Sequence, residues 1–258
     1  MKLNRLHASC LMVMLYMALH SSGQLPTMIT QGKITFERKV NAYGLLRDNF
    51  NFPDNQRFQQ FSEQYKANYP QFHEAYFDLY FNDSLSVYMP EKAPASIDHF
   101  IDVIASGNTI LHNLHTLQSV SSKSIAGTDY LIKQPLKNIK WRYTNDTREI
   151  LGFHCHRANA IILDSIYVVA FYTDQITAKA GPESFWGLPG MILEIALPNN
   201  YILWEAKKVT AEAVAQKIFS IDPKGTKSSE AALMKAADTF LKANIGVVIN
   251  WFLLITQL

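Results

Sequence analysis

Hydrophobic residues recur at every second position in many short stretches of this chain, which is the period of a β-strand with one buried face. Residues 33–40 show the pattern first, because Ile34, Phe36 and Arg38 share one side of an extended backbone and polar side chains share the other. Further strands are predicted at residues 109–117, 129–133, 139–144, 152–162, 166–173, 190–196 and 201–206. Many short strands separated by turn signals predict an antiparallel meander.

A β-hairpin is predicted where two alternating stretches are separated by a short polar link. The stretches are residues 75–81 and 84–89, and the link is Asn82-Asp83, two residues that tolerate the left-handed backbone of a tight turn. Residues 90–107 follow and contain prolines and a glycine, so we predict a connector that holds one short helical turn.

Two other stretches have the spacing of a helix. From Asp54 to Pro70 aromatic side chains recur three and four residues apart, and Pro70 ends the run. In residues 229–243 apolar side chains that include Leu233 and Ala237 share one face. The predicted fold class is therefore mainly β (α+β), a curved antiparallel sheet or partial barrel with one or two packed helices.

The N-terminus has the order of a secretory signal peptide. Lys2 and Arg5 precede an uncharged apolar run at residues 8–19, and a small polar stretch ending at Gly23 follows it. A membrane-spanning helix needs about 20 apolar residues, and this run is shorter. We predict that residues 1–23 are removed and that the protein is exported, to the periplasm, the outer-membrane surface or the extracellular space.

The rest of the chain divides into a β-rich domain, residues 24–226, and a C-terminal helix with an apolar tail, residues 227–258. Within the tail, residues 247–255 are almost wholly apolar but too few to span a bilayer. A buried terminal strand or helix turn is the preferred interpretation of this stretch, and a peripheral membrane contact is the alternative.

Charge and cysteine content narrow the functional classes. Removing residues 1–23 leaves 22 basic and 22 acidic side chains, and no dense basic stretch occurs anywhere in the chain. Nucleic-acid binding depends on clustered Lys and Arg, so that class is excluded. Cys10 leaves with the signal peptide, and Cys155 alone cannot form an intramolecular disulfide. We expect Cys155 to be buried, with pairing to another molecule as the alternative.

The most specific sequence lies between residues 141 and 195 and consists of five short motifs. They are Trp141-x-x-x-Asn145-x-Thr147, Gly152-Phe-x-Cys155, Phe171-Tyr-Thr173, Gly181-Pro182 and Gly187-Leu-Pro-Gly-Met-Ile192. This set resembles the signature of the GLPGLI family of secreted bacterial proteins, with Met191 in place of a leucine. The resemblance extends over residues 30–210 and says nothing of the C-terminal tail. It implies an exported or cell-envelope protein with no established activity.

The Pro189-Gly190 pair predicts a type II turn that leads directly into a strand, because proline fixes its own φ and glycine accepts a positive φ. A rigid corner of the fold is the preferred interpretation. The alternative is a binding site for a small apolar molecule or a peptide beside the turn. The candidate ligand-binding residues are Phe185, Trp186, Gly187, Leu188, Pro189, Gly190, Trp141 and Trp204.

His154 and His156 are the candidate metal ligands. On a strand they project from the same face while Cys155 projects from the other. Two neutral imidazoles suit one zinc or copper ion if His112 or His115 on another strand completes the set. Two solvated histidines on an open face explain the same residues, and this is the favoured interpretation. No cofactor is otherwise expected.

Catalytic motifs give little support to an enzyme. The chain contains no Gly-x-Ser-x-Gly turn, and His73-Glu74 lacks the second histidine of a zinc peptidase. Asp98 and Asp102 are four residues apart, as in a paired-carboxylate site, but a solvated loop or helix face is the preferred interpretation. We therefore expect an exported, non-enzymatic binding or envelope-assembly protein. Its ligand is expected to be a small apolar molecule, a peptide or an envelope protein, and the alternatives are transition-metal binding and an enzyme of unidentified class.

Overall fold

A computed structural model describes residues 28–49, 55–92, 107–125, 128–220, 225–244 and 258 of the 258-residue chain. Several predictions concern other residues and lie outside this described part. They are the signal peptide at residues 1–23, the helical turn of the connector with Asp98 and Asp102, and the apolar stretch at residues 247–255.

Twelve strands of the described residues form one sheet. They are β1 Gly32–Asn41, β2 Phe72–Phe81, β3 Leu85–Pro90, β4 Thr109–Asn113, β5 Gln118–Ile125, β6 Thr128–Pro135, β7 Arg142–Ile150, β8 Phe153–Ile162, β9 Ile166–Thr173, β10 Met191–Leu197, β11 Ile202–Thr210 and β12 Thr226–Ser228. Their order is β12-β6-β5-β4-β3-β2-β1-β11-β10-β9-β8-β7. The neighbouring strands are antiparallel except that β12 runs parallel to β6.

In the described part of the chain three α-helices accompany the sheet, namely α1 Ala42–Asn49, α2 Asn55–Asn68 and α3 Glu230–Asn244. The predicted mainly β fold with a curved sheet is confirmed. The predicted number of helices, one or two, is too low, because the eight residues of α1 are too short to show a helical period by themselves. No helix in the described part of the chain is long and apolar enough to cross a membrane.

The two faces of the sheet differ in polarity. On β1 the buried residues are Ile34, Phe36, Arg38 and Val40, in the predicted alternation. The opposite face carries ion pairs, such as the exposed one between the Lys39 ammonium and the Glu74 carboxylate at 2.5 Å. Surface pairs of this kind contribute about 0–1 kcal/mol, so burial of the first face is what stabilises the sheet.

Residues 174–190 form a covering loop that packs over the buried face between β9 and β10. Its apolar side chains Ile176, Ala178, Phe185 and Leu188 are all buried. Phe185 contacts the ring of Trp204 on β11 edge to face, with 6.2 Å between the ring centroids. The covering loop therefore forms a second layer of the core.

The predicted hairpin of β2 and β3 is confirmed, but its turn differs from the prediction. Neither Asn82 nor Asp83 has a positive φ. The Asn82 side-chain oxygen instead accepts hydrogen bonds from the backbone N–H groups of Ser84 and Leu85, at 2.9 and 2.8 Å. A polar side chain thus closes the turn without a left-handed backbone.

β5 was not predicted, because its buried face is polar. The prediction placed one strand at residues 109–117, whereas β4 ends at Asn113 and a second strand follows after a turn. The buried face of β5 carries Ser119, Ser121 and Lys123, so the hydrophobic alternation of a strand is missing. The sheet therefore has a buried polar face on β5 that hydrophobic spacing could not predict.

Candidate functional site

The bend at the end of the covering loop is a γ-turn and not the predicted type II turn. Gly190 has the expected positive φ of 139°. Its N–H donates to the carbonyl of Leu188 at 2.7 Å, which closes a three-residue turn. The next N–H, of Met191, donates instead to the carbonyl of Ile176 within the covering loop. The four-residue turn is therefore replaced by a contact across the loop.

The candidate ligand-binding residues fall into two environments. Phe185, Leu188, Gly190 and Trp204 are buried in the core, whereas Gly187 and Pro189 are exposed. Phe185 packs against Trp204 of the sheet, and the buried residues therefore stabilise the bend, as the rigid-corner interpretation expects.

Hydrogen bonds from the indole groups of Trp141 and Trp186 attach the covering loop to a neighbouring segment. The indole N–H of Trp141 donates to the carbonyl of Trp186 at 2.9 Å. The indole N–H of Trp186 in turn donates to the carbonyl of Lys137 at 2.7 Å. These bonds connect the loop to the segment between β6 and β7. Binding of an apolar ligand by the predicted residues stays a prediction.

A surface pocket of about 310 Å³ lies beside the covering loop. It is lined by residues 137–140, the turn between β8 and β9, and Phe185. A second pocket of about 390 Å³ shares Lys140 and Ile161 with the first. Ile161 is 65% exposed, which is unusual for an isoleucine within a strand. Among the predicted ligand-binding residues, Phe185 is therefore the one that lines the first pocket.

A buried polar cluster lies under the covering loop, and the sequence did not predict it. It is defined by Arg38, Tyr88, Asn108, Lys123 and Glu183, all of which are buried. The amide of Asn108 donates to Glu183 Oε2 at 3.2 Å. Glu183 itself has a φ of 52°, which is strained for a residue other than glycine. The fold therefore holds this acid in place against a local cost.

Burial dominates the ionisation of the cluster. It raises the pKa of the Glu183 carboxyl, although the Lys123 and Arg38 cations oppose the shift. Burial also lowers the pKa of Lys123 to about 8, against the attraction of Glu183. On the neighbouring β4, burial together with Lys123 lowers the pKa of His112 to about 4. The only sequence signal for this region is that Glu183 follows the Gly181-Pro182 motif.

An aromatic row crosses the end of the sheet near the edge strand β7. It consists of Tyr143, Tyr172, His156 and His154, in that order. The ring centroids are 6.3 Å apart for Tyr143 and Tyr172, 5.7 Å for Tyr172 and His156, and 4.9 Å for His156 and His154. The cross-strand register places Tyr172 opposite His156, which explains their contact.

The aromatic row is accessible from solvent at both ends. Tyr143 is 57% exposed and His154 is exposed, while Tyr172 is buried between its neighbours. Gln175 lies beside the row, because its side-chain oxygen accepts from the backbone N–H of His154 at 3.1 Å. Exposed rings flanked by hydrogen-bonding groups can bind a ligand that has both apolar faces and hydroxyl groups.

The predicted metal set is brought together only in part. His154 and His156 are adjacent, but His112 is buried on β4, seven strands away in the sheet order. His115 lies in the turn that follows β4. In the ranges that the structure describes, no three His, Cys, Asp or Glu side chains are grouped to hold a metal ion. Among the described residues, neither His112 nor His115 joins the pair, so the condition that one of them completes the metal site is not met.

Cys155 is buried on the opposite face of β8, as expected. Burial raises the pKa of its thiol to about 12. The thiolate is the reactive form of cysteine, so Cys155 is inert in the folded protein.

Comparisons with known proteins identify the family of the chain. The sequence pattern of the family described as "N-glycanase peptide, N-terminal domain" matches residues 92–233, which include the aromatic row and Glu183. No curated protein matches the chain. Two structures of PNGF-II, in the P21 and C2 space groups, are similar in fold, with TM-scores of 0.52 and 0.53 and identities of 11% and 12%.

Each alignment covers 80% of this chain but only 33% and 32% of the two PNGF-II chains. This chain therefore spans about a third of their length, and at such low identity the likeness shows the fold alone. The family pattern, in contrast, covers more than half of the sequence. On that ground the chain belongs to the family of N-glycanase N-terminal domains.

Proposed function

We propose that this chain is an exported, non-catalytic binding domain that recognises glycans on proteins through the aromatic row. The observation that carries the proposal is the continuous contact of Tyr143, Tyr172, His156 and His154 on an accessible face. Aromatic rings pack against the C–H faces of a sugar, while imidazole and amide groups hydrogen-bond to its hydroxyl groups.

The family supports a module that accompanies catalysis rather than performs it. Its description refers to the N-terminal domain of an N-glycanase, and the similar region is a third of each PNGF-II chain. A binding module that holds a glycoprotein near a separate catalytic unit raises the local concentration of substrate. The same recognition is useful to an exported protein that acts alone.

Export rests on the predicted signal peptide and on the resemblance to the GLPGLI family. If residues 1–23 are removed, the mature protein begins near Gln24. N-terminal sequencing of the protein from the periplasm or medium tests this directly. A chain that keeps Met1 and stays with the cytoplasmic fraction contradicts export.

The test of binding compares one glycoprotein before and after removal of its N-glycans. In biolayer interferometry, we expect the glycosylated form to bind and the deglycosylated form to bind at least tenfold more weakly. Tyr143→Ala and His156→Ala should each weaken binding of the glycosylated form about tenfold, or about 1.4 kcal/mol, because each removes a ring from the row.

Tyr76→Ala is the matched control, since Tyr76 is a tyrosine of comparable exposure, 44%, on the other face of the sheet. It should leave the affinity unchanged. Equal binding of both glycoprotein forms means that the ligand is protein rather than glycan. If Tyr143→Ala and Tyr76→Ala behave alike, the aromatic row is not the binding surface.

Transition-metal binding through His154 and His156 is a second candidate. It is favoured by the 4.9 Å separation of the two imidazole rings. Protein purified without chelator should then contain zinc or copper by mass spectrometry. The double variant His154→Ala with His156→Ala should lose the metal, and an unchanged metal content rejects the candidate.

A further inference from the structure

Asn108 and Lys123 are neighbours on the buried face of the hairpin formed by β4 and β5. Thr109 pairs with Ser122 in this hairpin, and the antiparallel register continued by one residue places Asn108 opposite Lys123. Residues opposed in this way have Cα atoms about 4.5–5.5 Å apart. Both side chains are buried, so they project from the same face. A lysine and an asparagine are therefore adjacent side chains in the interior.

Glu183 places an acid at the amide of Asn108. Nδ2 of Asn108 donates to Glu183 Oε2 at 3.2 Å, so the amide nitrogen is the atom that contacts the carboxyl group. Glu183 is 1% exposed, and its second oxygen has no hydrogen-bond partner among the described residues. The covering loop thus holds a group that can carry a proton beside the amide nitrogen, at the cost of the positive φ of Glu183.

Burial favours the neutral forms of the two ionisable groups. It lowers the pKa of Lys123 to about 8 and raises the pKa of the Glu183 carboxyl. A neutral amine is a nucleophile, whereas an ammonium has no electron pair to share. Water is also largely excluded, since Asn108 and Lys123 are only 4% and 5% exposed. The interior therefore provides an amine, an amide and an acid without competing water.

We infer that Lys123 and Asn108 are joined by an isopeptide bond that forms within the folded chain. The Lys123 nitrogen attacks Cγ of Asn108 and forms a new C–N bond. Glu183 receives a proton from the attacking nitrogen and delivers one to Nδ2, so the original Cγ–Nδ2 bond breaks and ammonia leaves. One amide replaces another, and the step needs no oxidant, reductant or cofactor. The chain becomes lighter by one ammonia, about 17 Da.

The bond cross-links the base of the β4–β5 hairpin. It constrains the unfolded chain as a disulfide does, but it does not depend on the redox state of the compartment. Cys155, the cysteine in the described part of the chain, is buried and forms no disulfide. The isopeptide bond therefore provides a covalent constraint that this cysteine does not.

Mass spectrometry of the denatured wild-type protein tests the bond. Trypsin does not cleave after an acylated lysine, so residues 93–133 should appear as one peptide that is about 17 Da lighter than its sequence. An unmodified chain gives two peptides instead, residues 93–123 and 124–133. Finding these two peptides at their sequence masses overturns the inference, whether or not any variant folds. The peptide map is decisive because cyclisation of an N-terminal Gln24 also releases ammonia.

Lys123→Met separates the cross-link from a succinimide at Asn108, which loses ammonia without any lysine. The variant has no amine at residue 123, so Asn108 should keep its amide and the peptide should have its full mass. Loss of ammonia at Asn108 in this variant means that the wild-type signal came from a succinimide, and the inference fails. Lys133→Met is the matched control, because Lys133 is exposed on β6 and its replacement should leave the cross-link intact.

Glu183→Gln tests the role of the acid. Glutamine cannot carry a proton from one nitrogen to the other, so the cross-linked fraction should fall about tenfold or more. Circular dichroism confirms that the variant remains folded. Complete cross-linking in folded Glu183→Gln overturns the assignment of proton transfer to Glu183.

Discussion

Gly190 shows how tightly the covering loop meets the sheet at the level of one residue. A Cβ at this position would lie 2.1 Å from the carbonyl oxygen of Thr173, a distance that no relaxation of a side chain can relieve. Its φ of 139° is also unfavourable for any residue with a side chain. The glycine is therefore required by two independent constraints.

The first prediction is that Gly190→Ala destabilises the protein by about 3 kcal/mol or more, because backbone strain adds to the steric overlap. Urea unfolding followed by circular dichroism measures the change. Gly152→Ala is the matched control, since Gly152 has a φ of 81° but open space around it. It should cost only about 1 kcal/mol. Equal losses would show that steric overlap with Thr173 has no effect.

The second prediction concerns His112, whose pKa burial lowers to about 4. The histidine is neutral in the folded protein but charges near pH 6.5 when the chain is unfolded. The stabilising contribution of neutral His112 to the free energy of unfolding is therefore complete above pH 6.5 and decreases as the pH falls towards 4. The expected loss of unfolding free energy is about 3 kcal/mol over this window.

Urea unfolding of wild type and His112→Gln at several pH values from 4 to 7 isolates this contribution. The difference between the two proteins should change with pH, because glutamine does not titrate. His115→Gln, in the exposed turn after β4, should keep the wild-type pH dependence. A His112→Gln profile parallel to that of wild type contradicts the assignment.

Among the secondary structure elements, α3 is the one whose packing the sequence described best. The predicted apolar face of residues 229–243 includes Leu233 and Ala237, and both are fully buried in the structure. Ser229 caps the helix, since its hydroxyl oxygen accepts from the N–H of Ala232 at 3.2 Å. The helix therefore has a defined start and a defined buried face.

The third prediction is that Leu233→Ala lowers the unfolding free energy by about 3 kcal/mol, because it removes a buried side chain and leaves a cavity. Urea unfolding measures the loss. Lys235→Ala on the exposed side of the same helix should change stability by no more than about 0.5 kcal/mol. Similar effects of the two substitutions would mean that α3 does not pack on the core.

At the scale of the whole molecule, the sheet pairs strands from the early and late parts of the chain. β1 lies between β2 and β11, so one of the first strands pairs with one of the last. Neither half of the sheet can complete its hydrogen bonds without the other. The described residues therefore share one hydrophobic core, which depends on contacts between distant parts of the chain.

The fourth prediction is that unfolding in urea is a single cooperative transition. Far-UV circular dichroism reports the sheet, and tryptophan fluorescence reports the environment of buried Trp204. Both should give the same midpoint and the same dependence on denaturant. Two separated transitions would show that the β12–β3 side and the β11–β7 side of the sheet fold independently.

Sequence periodicity predicted an element where one face is apolar and failed where the buried face is polar. β1, the β2–β3 hairpin and α3 all follow hydrophobic spacing, so their positions were predictable. β5 was missed, and β7 was placed too early, at residues 139–144 rather than 142–150. Ser119, Ser121 and Lys123 are polar residues whose burial depends on tertiary packing, which includes the contacts of β5 with α3, and not on neighbouring residues in the sequence.

The features of the candidate site likewise divide into those that local spacing predicts and those that depend on tertiary contacts. The adjacent positions of His154 and His156 follow from strand geometry, and the sequence determined them. Their contact with Tyr172 required the pairing of β8 with β9. The hydrogen bond between Asn108 and Glu183 required the covering loop and a residue before β4 that are far apart in the chain.

The sequence by itself determined the mainly β class, the helical C-terminal segment and the left-handed glycine before β10, because each depends on residues within one local period. Only the tertiary structure decided the strand order, the separation of His112 from His154, and the burial of the polar cluster. These features depend on contacts between residues far apart in sequence, and local spacing carries no information about which distant strands will meet.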